Sequence, residues 1–409
     1  MDSLPAGVDL TRNGTGFVPL HLEPVVQLSA ADVEEIEHAL ESFKQFSGLD
    51  GDQVTCSNFP LPAALQDRLR QATRDVHQGR GFAVVRGLDP ARYSAEDNAV
   101  LYLAISCYVG GDIRGVQDRR GNVFVHVTDD RRWKTPHQGR YSIHTQATIP
   151  WHCDLGADII AMHFRECARA GGATYVASAA TLCADLQRHH PDVLATLFES
   201  AWPCQMSGDG RSFFLAPLMQ YHHGRVVVCL DSERLGRQDE RRTGAGAGFF
   251  DPGTPSVVPD LTPAQRRALG VLSEVATRNR IRLDIRKGDM VYLNNFALLH
   301  CRDAYEDQPA QARHVVRLWL RNSKLGWSIP PCMSVPWVAA FGPGGKGALR
   351  FPSRSRPGWR RTVTRKYAIM PGPDYPDVKY SGGTAAFLLD ESDHDDLYER
   401  ESDHDSLDD

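Results

Sequence analysis

The sequence predicts a mainly β protein with flanking helices and a double-stranded β-helix (jelly-roll) core. Beyond residue 115, most apolar runs are short, rich in β-branched residues and separated by polar turns. Helical periodicity is concentrated before that point, and one long helical segment interrupts the later strands. Many short strands with a few helices on the outside are typical of a sandwich or jelly roll.

Two amphipathic helices are predicted near the start of the chain. The first follows Ser29, a suitable N-cap, and its apolar stripe consists of Val33, Ile36, Leu40 and Phe43. The second has the stripe Leu65, Leu69, Ala72 and Val76, and it ends at Gly79. We interpret both as packing helices.

A buried strand, "RGFAVVRGLDP", and a helical segment, "SAEDNAVLYLAISCYVGG", come next. The predicted strands that follow are "NVFVHVTDD", "ADIIAMHF", "ATYVAS", "GRVVVCLD", "IRLDIRKGDMVYLNN" and "RHVVRLWLRN". Pro191 begins a helix between them. A longer helix starts after Thr262, where Pro263 occupies the first turn and Gln265 completes a capping box.

We divide the chain into four parts. Residues 1–78 form a helical extension that packs on the core, and residues 79–325 form the jelly-roll core. Within the core, the Gly/Pro-rich residues 243–260 are a lid or a plain loop. A C-terminal extension covers residues 326–390, and the acidic residues 391–409 are predicted to be a disordered tail.

The charge of the chain gives no sign of a nucleic-acid or membrane partner. Of the net charge of −5, the last 19 residues contribute ten acidic side chains and one arginine. The remainder has 45 basic and 41 acidic side chains, without a run of Lys and Arg that would indicate a nucleic-acid surface. No stretch of about 20 apolar residues occurs. We therefore expect a small-molecule partner; the sequence makes no prediction of oligomeric state.

The cysteines favour a reducing compartment. There are nine, an odd number, without a Cys-x-x-Cys pair, which argues against a complete disulfide framework. The first residues lack a basic region followed by an apolar run. A cytoplasmic location is the expectation.

The pattern His-x-Asp occurs at residues 152, 190 and 394, so the pattern alone carries little information. His190 lies beside Pro191 in a helical context, and His394 lies in the acidic tail. His152 and Asp154, in "PWHCDLGADI", precede a predicted strand instead. In extended chain, residues i and i+2 project to one face, where both side chains could bind one cation. The alternative is a strand end with hydrogen-bonded polar groups.

A third candidate ligand is His300, at the end of the apolar strand in "GDMVYLNNFALLHCRDAYED". First and last core strands of a jelly roll can lie side by side at its mouth. Two histidines and one carboxylate on one face of a metal form the facial triad of non-haem Fe(II) oxygenases. A buried histidine capping a strand is the structural alternative.

These residues together resemble the taurine dioxygenase family of iron- and 2-oxoglutarate-dependent oxygenases, within the clavaminate synthase-like superfamily. The resemblance covers residues 79–322 and rests on His152-x-Asp154, Gly171-Gly172-x-Thr174, Gly288-Asp289 to His300, and Arg313 with Arg317. It implies Fe(2+) bound by His152, Asp154 and His300, and 2-oxoglutarate bound by Thr174 and Arg313, with O2 as the other cosubstrate. The implied reaction oxidises, most often hydroxylates, a C–H bond of a small molecule and releases succinate and CO2, with secondary metabolism as one setting.

The physical chemistry of the side chains agrees with these roles. A permanently charged, bidentate guanidinium suits a cosubstrate carboxylate, and Thr174 can donate a further hydrogen bond. Arg313 and Arg317 share one face of an alternating strand, where buried charges without anions would be costly. Arg317 therefore binds substrate or forms a structural ion pair with an acidic residue. Thr148, with Tyr141 and His144, is a candidate for the substrate pocket wall.

Two alternatives belong to other classes of protein. A His2Asp zinc hydrolase would use a metal-bound water and needs no carboxylate-binding arginine. A catalytically inactive jelly-roll binding protein would keep the fold without the chemistry. The presence of Asp154 disfavours a halogenase, in which a halide takes the position of the carboxylate.

Overall fold

The helices and strands of the protein were located in a computed structural model. It describes residues 25–117, 122–130, 140–205, 213–237, 257–308 and 311–342. Most of the 243–260 segment, residues 343–390 of the C-terminal extension and the acidic tail lie outside these ranges, as do the first 24 residues.

The α-helices of the described residues are α1 (Ala30–Phe46), α2 (Ala63–Gln78), α3 (Ala95–Val109), α4 (Ala179–His189), α5 (Pro191–Phe198), α6 (Pro263–Arg278) and α7 (Val335–Phe341). The strands before residue 200 are β1 (Val25–Gln27), β2 (Phe82–Arg86), β3 (Ile113–Gly115), β4 (Phe124–Val127), β5 (Ile149–His152), β6 (Ile159–Glu166), β7 (Ala170–Gly171) and β8 (Thr174–Ser178). The later strands are β9 (Trp202–Gln205), β10 (Phe213–Ala216), β11 (Met219–His222), β12 (Arg225–Val228), β13 (Ile281–Arg282), β14 (Met290–Asn294), β15 (Leu298–Arg302), β16 (Tyr305–Glu306) and β17 (His314–Arg321).

The predicted helix boundaries hold where a side chain caps the helix. The hydroxyl of Ser29 accepts from the backbone N–H of Asp32 at the start of α1. Thr262 and Gln265 form the predicted capping box of α6, and Pro191 occupies the first turn of α5. Local sequence fixes these ends because the capping groups satisfy backbone N–H groups that a helix leaves unpaired.

Two sheets form the body of the protein. The larger one has the strand order β1-β2-β14-β6-β17-β3, and β4 also pairs with β17. The smaller one has the order β13-β8-β15-β5. The chain thus leaves and re-enters each sheet repeatedly, and β1 of the N-terminal extension joins the edge of the larger sheet beside β2.

Three apolar clusters define the layers. One lies between helices α1 to α3 and the outer face of the larger sheet, and one lies between the two sheets. The third packs helices α4 to α6 on the outer face of the smaller sheet. The predicted metal ligand His300 lies on the same face of the smaller sheet as Leu298 and Val176, which belong to the cluster between the sheets. Among the described residues, no helix combines the length and apolar character needed to cross a membrane.

Candidate active site

The structure brings His152, Asp154 and His300 together in a buried cluster. β5 and β15 are antiparallel neighbours, and His152 and His300 are directly paired in their register. Their ring centroids are 4.1 Å apart, and Nε2 of His152 lies 3.7 Å from Oδ1 of Asp154. One potential ligand atom from each of the three residues lies within 4.8 Å of the others. The cluster therefore has the composition and the size of a metal site.

The carboxylate of Asp154 is oriented by two donors on one oxygen. Its Oδ2 accepts from Trp319 Nε1 at 2.7 Å and is 2.9 Å from Arg317 Nη1. Its Oδ1 is buried without a hydrogen-bond partner and faces His152. Arg317 in turn donates from Nε to Gln117 Oε1 at 2.7 Å. A buried, unsatisfied carboxylate oxygen is costly unless a cation or donor occupies the space beside it.

The turn that follows Asp154 is held by Asn295, which comes directly after β14. Its side chain accepts from the backbone N–H of Asp154 at 2.9 Å and donates to the carbonyls of Asp154 and Ala157 at 2.6 and 2.7 Å. At the end of the turn, Asp158 accepts from Trp337 Nε1 at 2.7 Å and pairs with Arg321 at 2.6 Å. Each aspartate of the turn is thus held by one tryptophan and one arginine.

Four residues around the site were not predicted from the sequence, namely Asn295, Trp319, Trp337 and Gln117. For Asn295, the available signal was a polar residue at the end of an apolar run, as in "VYLNNF", because a buried side-chain amide requires hydrogen-bond partners. In these contacts the partners are 141 or more positions apart in sequence, so the contacts themselves were not predictable.

His300 is in the state that metal binding requires, and a backbone carbonyl orients His152. Burial, with the nearby His152 and Arg317, holds the pKa of His300 well below its usual value, so this imidazole is neutral near pH 7. Nδ1 of His152 lies 2.8 Å from the Pro150 carbonyl oxygen, and donation from Nδ1–H to this oxygen leaves the Nε2 lone pair to bind a metal. Burial raises the pKa of Asp154 against the opposing effects of Arg317 and His152. A bound cation would favour its ionised form.

Thr174 and Arg313 line one cavity of about 350 Å³, together with the glycines Gly171 and Gly172. Thr174 begins β8, directly opposite Arg302 of β15. Arg313 is buried, and burial lowers its pKa. Its guanidinium lies 5.5 Å from the ring of Phe164 and 5.4 Å from that of Tyr305, and its Nη1 has no hydrogen-bond partner. The cavity therefore offers a hydroxyl and an unsatisfied cation.

The two tentative substrate residues have different surroundings. Arg317 pairs with Asp154, so the structure contains the ion pair that was one of its two predicted roles. Thr148 is exposed and, with Tyr141, lines a second cavity of about 530 Å³. His144 is fully buried, and burial with the nearby Arg317 lowers its pKa to about 3. His144 is not among the residues that line this cavity.

The sequence of the chain matches a known protein family. Residues 42–319 match the model of the taurine catabolism dioxygenase TauD, TfdA family. The taurine hydroxylase-like protein SAT17 of Stachybotrys chartarum (strain CBS 109288 / IBT 7711) is 31% identical over 319 residues, which are 76% of this chain and 78% of the relative.

Two solved structures share the fold. An asparagine oxygenase in complex with Fe(II), 2S,3S-3-hydroxyasparagine and succinate has a TM-score of 0.55 at 14% identity, covering 75% of this chain and 98% of its own. The non-haem iron oxygenase OrfP in complex with Fe and alpha-ketoglutaric acid has a TM-score of 0.52 at 17% identity, covering 73% and 94%. They confirm the predicted jelly-roll class. From the match over most of its length and from its 31% identical relative, we conclude that the chain belongs to the TauD/TfdA dioxygenase family.

Proposed function

We propose that this protein is a non-haem iron(II)- and 2-oxoglutarate-dependent dioxygenase that oxidises, and most simply hydroxylates, a C–H bond of a small molecule. The observation that carries the proposal is the buried cluster of His152, Asp154 and His300, in which Asp154 Oδ1 has no hydrogen-bond partner. Two imidazoles and one carboxylate are the donor set that non-haem iron enzymes use. The family supports the same activity.

The residues around the metal cluster suit an iron site with bound 2-oxoglutarate better than the site of a zinc hydrolase. Iron bound at the cluster would couple the oxidative decarboxylation of 2-oxoglutarate, by dioxygen, to oxidation of the substrate. A zinc hydrolase would give no role to the unsatisfied guanidinium of Arg313 in the neighbouring cavity. Arg313 would bind the distal carboxylate of 2-oxoglutarate through a charge-assisted hydrogen bond, and the hydroxyl of Thr174 would donate another.

The protein's own contribution is to hold these groups in place and to exclude water. Trp319 and Arg317 fix the carboxylate of Asp154 so that Oδ1 faces the imidazoles. Asn295 fixes the turn that carries it. Because these contacts are buried, the ligands need little reorganisation when the metal binds.

The substrate would bind in the cavity of about 530 Å³ beside β5, where Thr148 and Tyr141 form part of the wall. Its lining includes four arginines and two carboxylates, namely Arg140, Arg234, Arg237, Arg266, Glu233 and Asp260. Arg140 is paired with Asp129 and Arg237 with Asp260, so the net excess is one positive charge, which favours a substrate with an acidic group. The asparagine oxygenase and OrfP structures contain hydroxylated amino acids, and a substrate of the size of an amino acid agrees with the volume of this cavity. All nine cysteines are free thiols, consistent with a cytoplasmic location.

The proposal is tested by adding Fe(II) and then 2-oxoglutarate to the full chain without oxygen. A chelated complex should produce a weak visible charge-transfer band, which Asp154→Ala should abolish and Arg313→Leu should shift to much higher 2-oxoglutarate concentrations. Asp185→Ala, which removes a surface partner of Arg278, is the control and should leave the band unchanged. Absence of a band with the folded wild-type protein, or zinc-dependent hydrolysis without 2-oxoglutarate, would show that the proposal is wrong.

A further inference from the structure

A second buried arginine, Arg302, has unsatisfied hydrogen-bond donors close to Arg313. Its Nη2 donates to the carbonyl oxygens of Thr145 and Ala147. Its Nε and Nη1 are buried and have no partner among the described residues. Only 4% of Arg302 is exposed, so water does not replace these missing contacts. The two backbone contacts explain one nitrogen of the guanidinium and leave the other two without a role.

The strand places Arg302 next to the predicted metal and cosubstrate residues. Arg302 follows His300 by two positions in β15, so both side chains project to the same face of the smaller sheet. In the register with β8, Arg302 is directly opposite Thr174. Two residues along a strand span about 7 Å. This distance is of the same order as the separation of the two ends of an extended five-carbon dicarboxylate.

Arg302 and Arg313 are near each other, and the carboxylate of Asp307 attracts both only at longer range. Their guanidinium carbons lie 4.7 and 5.4 Å from the centroid of the Tyr305 ring, so the gap between the guanidiniums cannot exceed the sum of these distances. The hydroxyl of Tyr305 is also buried without a partner. Neither arginine forms a salt bridge with a described carboxylate. Two buried cations and an unsatisfied hydroxyl are unfavourable unless an anion binds among them.

We propose that Arg302 is a second guanidinium for the distal carboxylate of 2-oxoglutarate, so that Arg302 and Arg313 approach this carboxylate from the smaller and the larger sheet. The inference rests on the proposed function and adds a residue to its cosubstrate site. It gives a partner to the unsatisfied Nη1 of Arg302, which can donate a charge-assisted hydrogen bond to one carboxylate oxygen. The hydroxyl of Tyr305 completes the set of donors around the same carboxylate.

The test compares 2-oxoglutarate with 2-oxovalerate, in which a methyl group replaces the distal carboxylate. Binding of each to the Fe(II)-loaded full chain is measured by calorimetry without oxygen. Arg302→Gln should weaken 2-oxoglutarate binding by about ten- to hundredfold, the range of one or two charged hydrogen bonds, and should leave 2-oxovalerate binding within about twofold. Arg165→Gln, at a partly buried arginine whose Nε also has no partner, is the matched control and should change neither affinity.

The outcomes separate this inference from the proposed function. If the wild-type protein binds neither oxo acid, the proposed function fails. If the wild-type protein prefers 2-oxoglutarate and Arg302→Gln keeps that preference, Arg302 is structural and the inference is wrong. The inference also fails if Arg302→Gln weakens binding only of an acidic substrate.

A conservative variant covers the case in which Arg302→Gln does not fold. Arg302→Lys keeps the positive charge but loses the planar guanidinium with its several N–H donors, so it should weaken 2-oxoglutarate binding by about fivefold or more. An unchanged affinity would then overturn the inference.

Discussion

The hydrogen bond from Trp319 to Asp154 gives the sharpest prediction about the metal site. Trp319→Phe keeps a buried aromatic ring and removes the Nε1–H group that lies 2.7 Å from Asp154 Oδ2. Oδ2 then retains only Arg317, and the carboxylate can rotate away from the two imidazoles. A hydrogen bond to a charged group contributes about 1.5–3 kcal/mol, and loss of a metal ligand's hydrogen-bond partner weakens metal binding by about 10–100-fold.

Trp337→Phe is a closely matched control for this prediction. Trp337 is also buried, and it donates to Asp158 Oδ1 at the same distance of 2.7 Å. Asp158 likewise pairs with an arginine, Arg321, but it is not one of the clustered ligands. We expect both variants to lose similar free energy of unfolding in urea without metal, and only Trp319→Phe to lose Fe(II) affinity in an anaerobic titration. An unchanged Fe(II) affinity of Trp319→Phe, or equal losses in the two variants, would refute the assigned role of this hydrogen bond.

Three further predictions concern the surroundings of the site. Asn295→Ala removes three side-chain hydrogen bonds from the turn after Asp154 and should lower the free energy of unfolding by about 3 kcal/mol, measured in urea; a loss below about 1 kcal/mol would contradict this. Burial lowers the pKa values of His77 and His163 to about 4 and 3, so the unfolded chain binds more protons below pH 6.5. The contribution of these two histidines to stability should therefore be fully present above pH 6.5 and be lost at about 2–3 kcal/mol per pH unit between pH 6 and 5, and His77→Asn should flatten a pH series of unfolding curves. Cys153→Ala should leave Fe(II) affinity and turnover unchanged, because its thiol contacts the backbone of β12 and the residues after it rather than the ligands; a lost activity in a folded variant would oppose this.

The fold and the metal ligands were predictable because their signals are local. The capping box at Thr262 and the proline of α5 fix helix ends from a few neighbouring residues. His152 and Asp154 are two positions apart in extended chain, which places them on one side regardless of what packs around them. His300 required only that the last core strand lie beside β5, as the jelly-roll class implies.

The surroundings of the site depend on contacts between distant residues and were not predictable in the same way. The sequence left two roles open for Arg317, and only the register of β17 against β6 brings it to Asp154. The sequence gives no signal for the burial of Arg302, because a charged residue at a strand end is usually exposed. Its burial arises from the backbone of residues 145–147, which no local pattern connects to it.

The order in which the chain is synthesised has a consequence for when iron can bind. Trp319 lies 165 residues after Asp154, and Trp337 lies 179 residues after Asp158. At ribosomal speeds of about 5–20 residues per second, the turn after His152 waits roughly 10–40 s for these partners. During that interval two of the three ligands are available in a loop whose supporting tryptophans do not yet exist. Selective metal uptake therefore requires that β17, which carries Trp319, has been synthesised and has paired with β6.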